Sequence, residues 1–530
     1  MRKAIFFSFL VFEVFSFLNA NAQFTLDFGS DSPLRKLQTA ETMINNYYVE
    51  DVDEDKLVED AIRGMLEKLD PHSAYTDPKE TKRMTEPLAG DFEGIGVQFN
   101  ILEDTLVVVQ TISGGPSEKA GIIGGDRIIS VNDTAIAGVK MSREDIMSKL
   151  RGKKGTKAKL GIIRQGIKGT LFFTVKRDKI PLRTINAAYM LTDKVGVVRI
   201  ESFGAKTYKE FVNALDSLQK VGMKDLILDL RDNSGGYLNA AVDIANEFLG
   251  NKQLIVYTDG RKVKSERYLS DGTGSMQDCK VVVLINEYSA SASEIVTGAI
   301  QDHDRGFVVG RRSYGKGLVQ RPLMMNDGSM IRLTVAHYYT PSGRCIQKPY
   351  DKGKGKDYAH ELEDRLLHGE LTNADSIHFA DSLKFTTLRL KRTVYGGGGI
   401  MPDEFVPLDT LKYPEYYRKL AAKSLIINAT LRYVDANRKT LPQRYKTFES
   451  YNNGFTVPDE VIDGIFAEGE KQNIKPKDEE EKAMARKTIS LLVKALVARD
   501  IWTMAEYYQV MNVDDKMMQR ALYTIENKNL

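Results

Sequence analysis

The sequence lacks most of what would point to metal, redox or membrane chemistry. Two cysteines, Cys279 and Cys345, are too few for a disulfide framework or a zinc site. Each stands beside a strand-like run, which reads as two separate thiols. Surplus charge is also missing: 75 basic against 72 acidic residues leave a net charge of +3. That balance gives neither nucleic acid nor an anionic membrane a claim as partner. Past the first 22 residues no run is apolar enough to span a bilayer. What remains is a soluble globular composition, 42% hydrophobic and 28% charged, with a mean hydropathy of −0.32. At 530 residues the chain is too long for one core, so three or four units are expected.

The start of the chain has the pattern of an export signal. Arg2 and Lys3 precede an apolar stretch, Ala4 to Leu18, broken only by Glu13, and Ala20-Asn21-Ala22 fits a small-x-small cleavage site. The stretch is short for a membrane anchor, so cleavage after Ala22 and a periplasmic mature protein are predicted. No cysteine follows the site to carry a lipid.

Periodicity then divides the rest. Leu34, Leu37, Ile44 and Tyr48, and again Leu57, Ala61, Met65 and Leu69, repeat at helical spacing. A turn follows at Asp70-Pro71-His72-Ser73, where His72 is read as a structural hydrogen-bonding group. From Asp91 to Arg177 short strands alternate with glycine turns: Gly94-Ile95-Gly96-Val97, Gly114-Gly115-Pro116-Ser117, Gly124-Gly125-Asp126-Arg127. A polar helix is expected over Ser142 to Leu150. From Val195 strands alternate with helices, which argues for an α/β core on a mixed sheet. Lys352 to Lys356 opens a polar insertion, 351–384, read as a mobile surface loop. Beyond Pro407 the pattern is helical, with Ile489, Leu492, Val493 and Leu496 as one stripe. The acidic run Asp478 to Glu481 suits a helix start, where negative charge meets the positive dipole end.

Two segments carry chemistry. Ser289-Ala290-Ser291-Ala292-Ser293-Glu294-Ile295 follows the buried strand Val281 to Ile285 and opens a helix. A hydroxyl there sits beside unpaired amide N–H groups that can stabilise an oxyanion, although serine is also an ordinary helix cap. The second is Gly310-Arg-Arg-Ser-Tyr-Gly315-Lys316-Gly317, with Gln320 beyond it. A serine needs a base, and a lysine can supply one if burial keeps its amine neutral.

These residues carry a resemblance. The glycine turns of 91–178 resemble a PDZ domain. The ordered set Asp229-Leu-Arg231-Asp-Asn233-Ser-Gly235-Gly236, Ser289 to Ile295, Gln301-Asp302 and Gly315-Lys316-Gly317 with Gln320 resembles the carboxy-terminal processing (tail-specific) proteases. The resemblance runs to Gly396 through Asp403 and fades beyond. It implies Ser291 as nucleophile, Lys316 as general base and Gln320 as the residue positioning that base. It further implies oxyanion donors at the Gly236 and Ala292 amides, and Asp302 as support at the helix end. Gly94, Ile95, Gly96 and Val97 would receive a peptide's C-terminus. Two departures stand out: Ser234 where the family commonly has proline or glycine, and Cys345 where it often has serine.

Other matches fail. Gly310 to Lys316 has phosphate-loop spacing, but Gly317 replaces the metal-ligating hydroxyl. Ser217-Leu-Gln-Lys220 has no Lys-Thr-Gly partner. His303, in a polar helix end, is read as solvated, and His337 stays open as a triad histidine. The expected architecture is multidomain α/β plus β: signal peptide 1–22, N-terminal helical region 23–90, PDZ domain 91–178, mixed-sheet protease core 179–406 and helix-rich C-terminal region 407–530. The expected function is a Ser-Lys endopeptidase cutting protein substrates near their C-termini. The rival is a non-catalytic adaptor that binds tails on a protease-like fold. No metal, organic cofactor or nucleic acid is implied, and a homo-oligomer or an adaptor partner is left open.

Overall fold

The computed structural model describes residues 32–353 and 355–529, apart from the side chains of Lys356, Asp357 and Ala359. The predicted signal peptide lies outside the described residues. The chain divides into two units, Met1–Met65 and Leu66–Leu530. In the first, helices Pro33–Tyr47 and Glu54–Glu67 follow the predicted spacing, and Leu34, Leu37, Ile44, Leu57, Ala61 and Met65 line one groove.

The second unit is built on a six-stranded sheet. Its order is Ile185–Met190, Val195–Ile200, Asp225–Asp229, Val281–Ile285, Phe307–Gly310 and Glu404–Phe405; the first pair is antiparallel and the rest parallel. The central strands are apolar on both faces because both are covered. Val198, Ile200, Leu226, Leu228, Val283 and Ile285 point to the side of helices Thr207–Lys220, Leu238–Asn246 and Ala292–Asp302. Their alternates, among them Val197, Ile227, Val282 and Leu284, meet Met517, Met518, Ala521 and Ile525 of the helix Lys516–Asn527. The helix-rich C-terminal region thus has two parts. Residues from Tyr416 to Val510 bury a core of their own, whereas the last helix closes the back of the six-stranded sheet.

A second sheet pairs Met330–Tyr339 with Leu318–Met324, Leu254–Asp259 and the short strand Ala74–Thr76. That last pairing brings the Asp70 to Ser73 turn against this second sheet. The third sheet, Val97–Leu102 through Leu171–Lys176 with helix Arg143–Leu150, is the PDZ fold. Its chain entry and exit pair with each other as Asp91–Gly94 and Asp178–Pro181.

The insertion corrects an expectation. Instead of a mobile loop it forms the helix Gly355–Leu367, with Tyr358 and Leu371 buried, and Arg365 donates to the carbonyls of Arg312 and Ser313. Its polarity reflects charged groups paired inward: Lys348 bonds Glu361 at 2.8 Å, and Arg312 pairs with Glu370. Among the described residues no helix is long and apolar enough to cross a membrane. Cys279 and Cys345 are separate free thiols.

Candidate active site

The three serines of the turn after Val281–Ile285 have different environments. Ser289 is fully buried and donates to the Leu230 carbonyl at 2.8 Å while accepting the Asn286 N–H at 2.9 Å. Ser293, also fully buried, donates to the Asn233 carbonyl at 2.9 Å. Both are packing elements of the turn. Ser291 is the partly exposed one. It caps the helix Ala292–Asp302 with φ 56° and ψ −112°, a left-handed conformation that costs a non-glycine residue about 1–3 kcal/mol. Something must therefore hold it.

Two side chains do. Glu294, fully buried, accepts the Ser291 N–H at 2.8 Å, the Ser313 hydroxyl at 2.5 Å, the Gly315 N–H at 2.7 Å and the Lys316 N–H at 2.9 Å. Burial pushes its carboxyl pKa up, and the four donors oppose that shift. Tyr338 donates its hydroxyl toward the Lys316 carbonyl at 2.7 Å and the Ser291 carbonyl at 3.1 Å. One carboxylate and one phenol thus tie the Ser291 turn to the Lys316 loop. Neither role is visible in the sequence. Glu294 stands inside the serine motif, but three of its four partners lie some twenty residues on.

Lys316 itself is half-buried. Burial, aided by the charge of Arg332 and opposed by Glu294 and Asp70, pushes its amine down to about 8. Its Nζ donates to Gln320 Oε1 at 3.1 Å, and Gln320 Nε2 donates to the His72 carbonyl at 2.6 Å. A carbonyl can only accept, so His72 fixes which end of the Gln320 amide faces the lysine. The His72 ring lies 2.8 Å from the Tyr358 hydroxyl of the insertion helix, and that hydroxyl also accepts from Gln347 Nε2 at 3.2 Å. Burial, with Lys316's charge, pushes His72 down to about 4, so its imidazole is neutral at ordinary pH. The turn holding it is pinned by Asp70, which accepts the His72 and Ser73 N–H groups at 2.9 Å and the Thr334 hydroxyl at 3.1 Å. His72 is structural, as the sequence suggested, but its carbonyl reaches the site.

The glycine turn after Asp225–Asp229 abuts the serine. A Cβ on Gly235 would come within 2.8 Å of Ser291 Cβ and 3.0 Å of the Ala292 nitrogen. Gly236 adopts φ 147° and bridges to Phe203. Asn233 shapes this turn, accepting the Gly235 N–H and donating to the Ile200 carbonyl, both at 2.8 Å. Beneath it Asp229 is clamped by Arg231 and Arg199, whose charges hold its carboxyl far below the usual range despite complete burial. Arg231 reaches on to Asp515 at 2.7 Å, so the final helix also steadies the turn.

Asp302 lies at the far end of the helix from Ser291. It bonds the fully buried Arg344 at 2.7 Å and the Ser342 hydroxyl at 2.7 Å. His303 is not solvated as expected: its Nε2 lies 2.7 Å from the Leu254 carbonyl. His337 neighbours Tyr338 on one strand, and successive side chains point to opposite faces. With Tyr338 directed at Ser291, His337 faces away from it.

In the PDZ fold, Gly94 to Phe99, Met147 and Leu150 line a groove of about 240 Å³ between the edge strand Val97–Leu102 and the helix Arg143–Leu150. Ile95 is buried, and Gly96 takes φ 74° against Ile180, where a Cβ would approach within 2.9 Å. The four glycine-turn residues predicted from the sequence stand together at one end of this groove.

Comparison with known proteins agrees with this arrangement. Residues 194–358 match peptidase family S41, 94–175 match the PDZ domain, and 18–81 match the N-terminal domain of the activating protease CtpB. Residues 416–503 match a family of unknown function. The carboxy-terminal processing protease CtpA of Bacillus subtilis is 38% identical over 341 residues, 62% of this chain and 71% of that protein. CtpB of the same organism is 38% identical over 61% of this chain and 67% of its own length. The carboxy-terminal-processing protease of Bartonella bacilliformis is 38% identical over 57% and 70%. With that identity spread over most of the length of its relatives, the chain belongs to the carboxy-terminal processing proteases of peptidase family S41 and is a serine-type peptidase with a PDZ domain.

Proposed function

We propose that Ser291 and Lys316 form a catalytic dyad and that the PDZ groove selects substrates by their C-termini. The Lys316 amine takes the Ser291 proton as the hydroxyl attacks a peptide carbonyl. Gln320 holds that amine, and the Gly236 and Ala292 amides receive the developing oxyanion. The protonated lysine returns its proton to the leaving amine, and water then releases the acyl-enzyme. The observation that carries this reading is the double bridge of Glu294 and Tyr338 between Ser291 and a lysine whose amine is pushed down to about 8. A base poised there is partly neutral near physiological pH, which an exposed lysine is not.

The groove supports tail selection through its geometry. An extended peptide can add to the open edge of Val97–Leu102, and a turn of backbone N–H groups at Gly94 to Val97 can take the terminal carboxylate. Docking there raises the local concentration of the same chain at Ser291. We also propose export, with Ala4 to Leu18 and Ala20-Asn21-Ala22 directing cleavage before Gln23.

The deciding experiment is cleavage of one unfolded substrate by the native enzyme and by Ser291→Ala, Lys316→Ala and His337→Ala. Loss in the first two folded variants with retention in the third is expected. Full activity in Lys316→Ala would end the dyad assignment. The same substrate with an amidated C-terminus should be cut more slowly, and equal rates would end tail selection. Mass spectrometry of the protein from its native envelope should find Gln23 as the first residue.

A further inference from the structure

One guanidinium beside Lys316 has no anion of its own. Arg332, half-buried on the strand Met330–Tyr339, stands opposite Pro322 on one side and Ala74 on the other. Its Nε is buried without a hydrogen-bond partner, and its Nη1 meets the Met84 sulfur at 3.4 Å. Among the described residues no carboxylate bonds it. Asp70, whose charge reaches it, is taken up elsewhere: it accepts the His72 and Ser73 N–H groups and the Ser73 and Thr334 hydroxyls. A guanidinium drawn partly out of water without an oxygen partner costs stability. A group kept at that cost calls for a function.

Strand register fixes where it stands. Thr334 lies opposite Gln320, so Arg332 is the diagonal neighbour of Gln320 on the same face, at a spacing of about 7–8 Å. Its charge is felt at both Lys316 and His72. On its other side is Met84, in the helix Pro78–Ala89. Two residues on, Glu86 of that helix bonds Arg151 at the end of the PDZ helix Arg143–Leu150, and the chain then enters the PDZ fold at Asp91–Gly94. Arg332 thus lies between Lys316 and the helix that leads to the groove. A tail docked there by its end and cut at Ser291 has to span this interval, and the piece that spans it is the one cleavage releases. The chemistry points to the same side. An amine that takes the serine proton hands it on to the leaving nitrogen, so the leaving segment begins beside Lys316.

We propose that Arg332 reads the leaving segment and prefers an acidic side chain within its first three residues. Two residues of extended chain advance about 6.6 Å, close to the diagonal spacing from Gln320 to Arg332. The substrate class is therefore proteins with an Asp or Glu just after the cut, ahead of the docked end. This rests on the dyad and tail-docking readings above and adds a preference at the cleavage site itself. Arg332 is a specificity residue that touches bound substrate and carries no proton in the reaction. Because it is only half-buried, the preference weakens with salt.

The test uses the full chain and one unfolded polypeptide with an apolar C-terminus, its cut located by mass spectrometry. Asp, Ala or Lys is placed in turn at each of the three residues before and after that cut, and kcat/KM is measured at low and high salt. After the cut, Asp should be cleaved faster than Ala and Ala faster than Lys, with about tenfold between the extremes at low salt. Arg332→Gln lowers every rate through Lys316, so the readout is the ratio between substrates. That ratio should collapse in Arg332→Gln, survive in Arg332→Lys and invert in Arg332→Glu. Equal rates for Asp and Lys after the cut, with Ser291→Ala and Lys316→Ala inactive, overturn the preference and leave the dyad standing. A ratio unchanged in Arg332→Gln, or an Asp preference found only before the cut, overturns the assignment of Arg332 to the leaving side. Full activity in Lys316→Ala, or equal cutting of free and amidated tails, overturns the reading beneath it and this inference together.

Discussion

The two turns proposed to meet a substrate, Gly94 to Val97 and Ser291, are secured in opposite ways. At Gly94 to Val97 the carbonyl side is tied back. The Ile95 carbonyl accepts the Ser117 N–H at 3.0 Å and its hydroxyl at 2.7 Å, and the Gly96 carbonyl accepts the Ile112 N–H at 3.1 Å. The N–H side is the one proposed to receive a tail's carboxylate. At Ser291 both sides are consumed. Glu294 takes the N–H, and the carbonyl receives Tyr338 and the amides of Glu294 and Ile295. Only the hydroxyl is left to act. Recognition needs donors that adapt to many tails, whereas acyl transfer needs one atom at one place. On the proposed function, a turn serves recognition or reaction according to which backbone groups the rest of the fold takes up.

The harshest way to break that comparison is to remove the side chains of the proposed dyad. Lys316→Ala should lower kcat by about 10²–10⁴-fold, the usual worth of a general base, and Ser291→Ala by at least as much. Peptide binding to the PDZ groove, followed by anisotropy, should survive both changes. A parallel loss of tail binding would mean that the two turns are not independent.

Glu294 tests whether the reacting turn is truly held from within. Glu294→Ala strands four buried or half-buried donors and should destabilise the protein by at least about 3 kcal/mol, read from urea unfolding. Glu294→Gln keeps the shape and some of the bonds, so it should fold better yet remain slow. A fully active Glu294→Ala would show that the carboxylate is not what holds Ser291.

The Lys316 loop offers a sharper test through pH. On the proposed dyad the neutral Lys316 amine is the base, so kcat/KM should fall about tenfold per unit below about 8. Arg332 pushes the lysine down by like-charge repulsion, whereas Glu294 and Asp70 push it up. Arg332→Gln therefore raises the lysine's pKa, moves the acidic limb to higher pH and lowers activity at pH 7. His72, held near 4, does not titrate in this window. A limb that stays in place, or moves toward acid, would show that Arg332 does not act through Lys316.

Much of this was legible before the fold, for a physical reason. Ser291 sits in a run of alternating serine and alanine, and Lys316 in a glycine-rich turn with Gln320 just behind it on the strand Leu318–Met324; each composition is unusual by itself. The buried strands Asp225–Asp229 and Val281–Ile285 read directly as apolar runs between turn signals. What escaped were contacts made across the chain. Gln320 meets the His72 carbonyl from 248 residues away, and Tyr338 closes on Ser291 from a strand whose period shows only that one face is buried. The insertion looked mobile because Lys352 to Lys356 is polar, yet its charged groups pair inward around Tyr358. The final helix carried a usable signal, Met517, Ala521 and Ile525 at four-residue spacing, although its target was hidden.

The smallest expected effect tests that insertion. Tyr358 stands at the end of a relay: its hydroxyl meets the His72 ring, the His72 carbonyl holds Gln320, and Gln320 holds Lys316. The Lys348 ammonium lies 4.1 Å over the Tyr358 ring and 4.2 Å over Tyr314, so the ring also walls the loop that carries the base. Tyr358→Phe keeps the ring and removes only the hydroxyl, worth about 1 kcal/mol, or roughly a fivefold change. If the relay matters to the base, kcat should fall by about that factor with KM unchanged, because no contact to bound substrate is lost. Tyr358→Ala removes the wall as well and should cost more, in stability and in kcat. If Tyr358→Phe instead raises KM and spares kcat, the insertion faces the substrate rather than the base. If it changes only the unfolding midpoint, the hydroxyl serves packing alone, and the reacting turn is held by Glu294 and Tyr338 without help from the insertion.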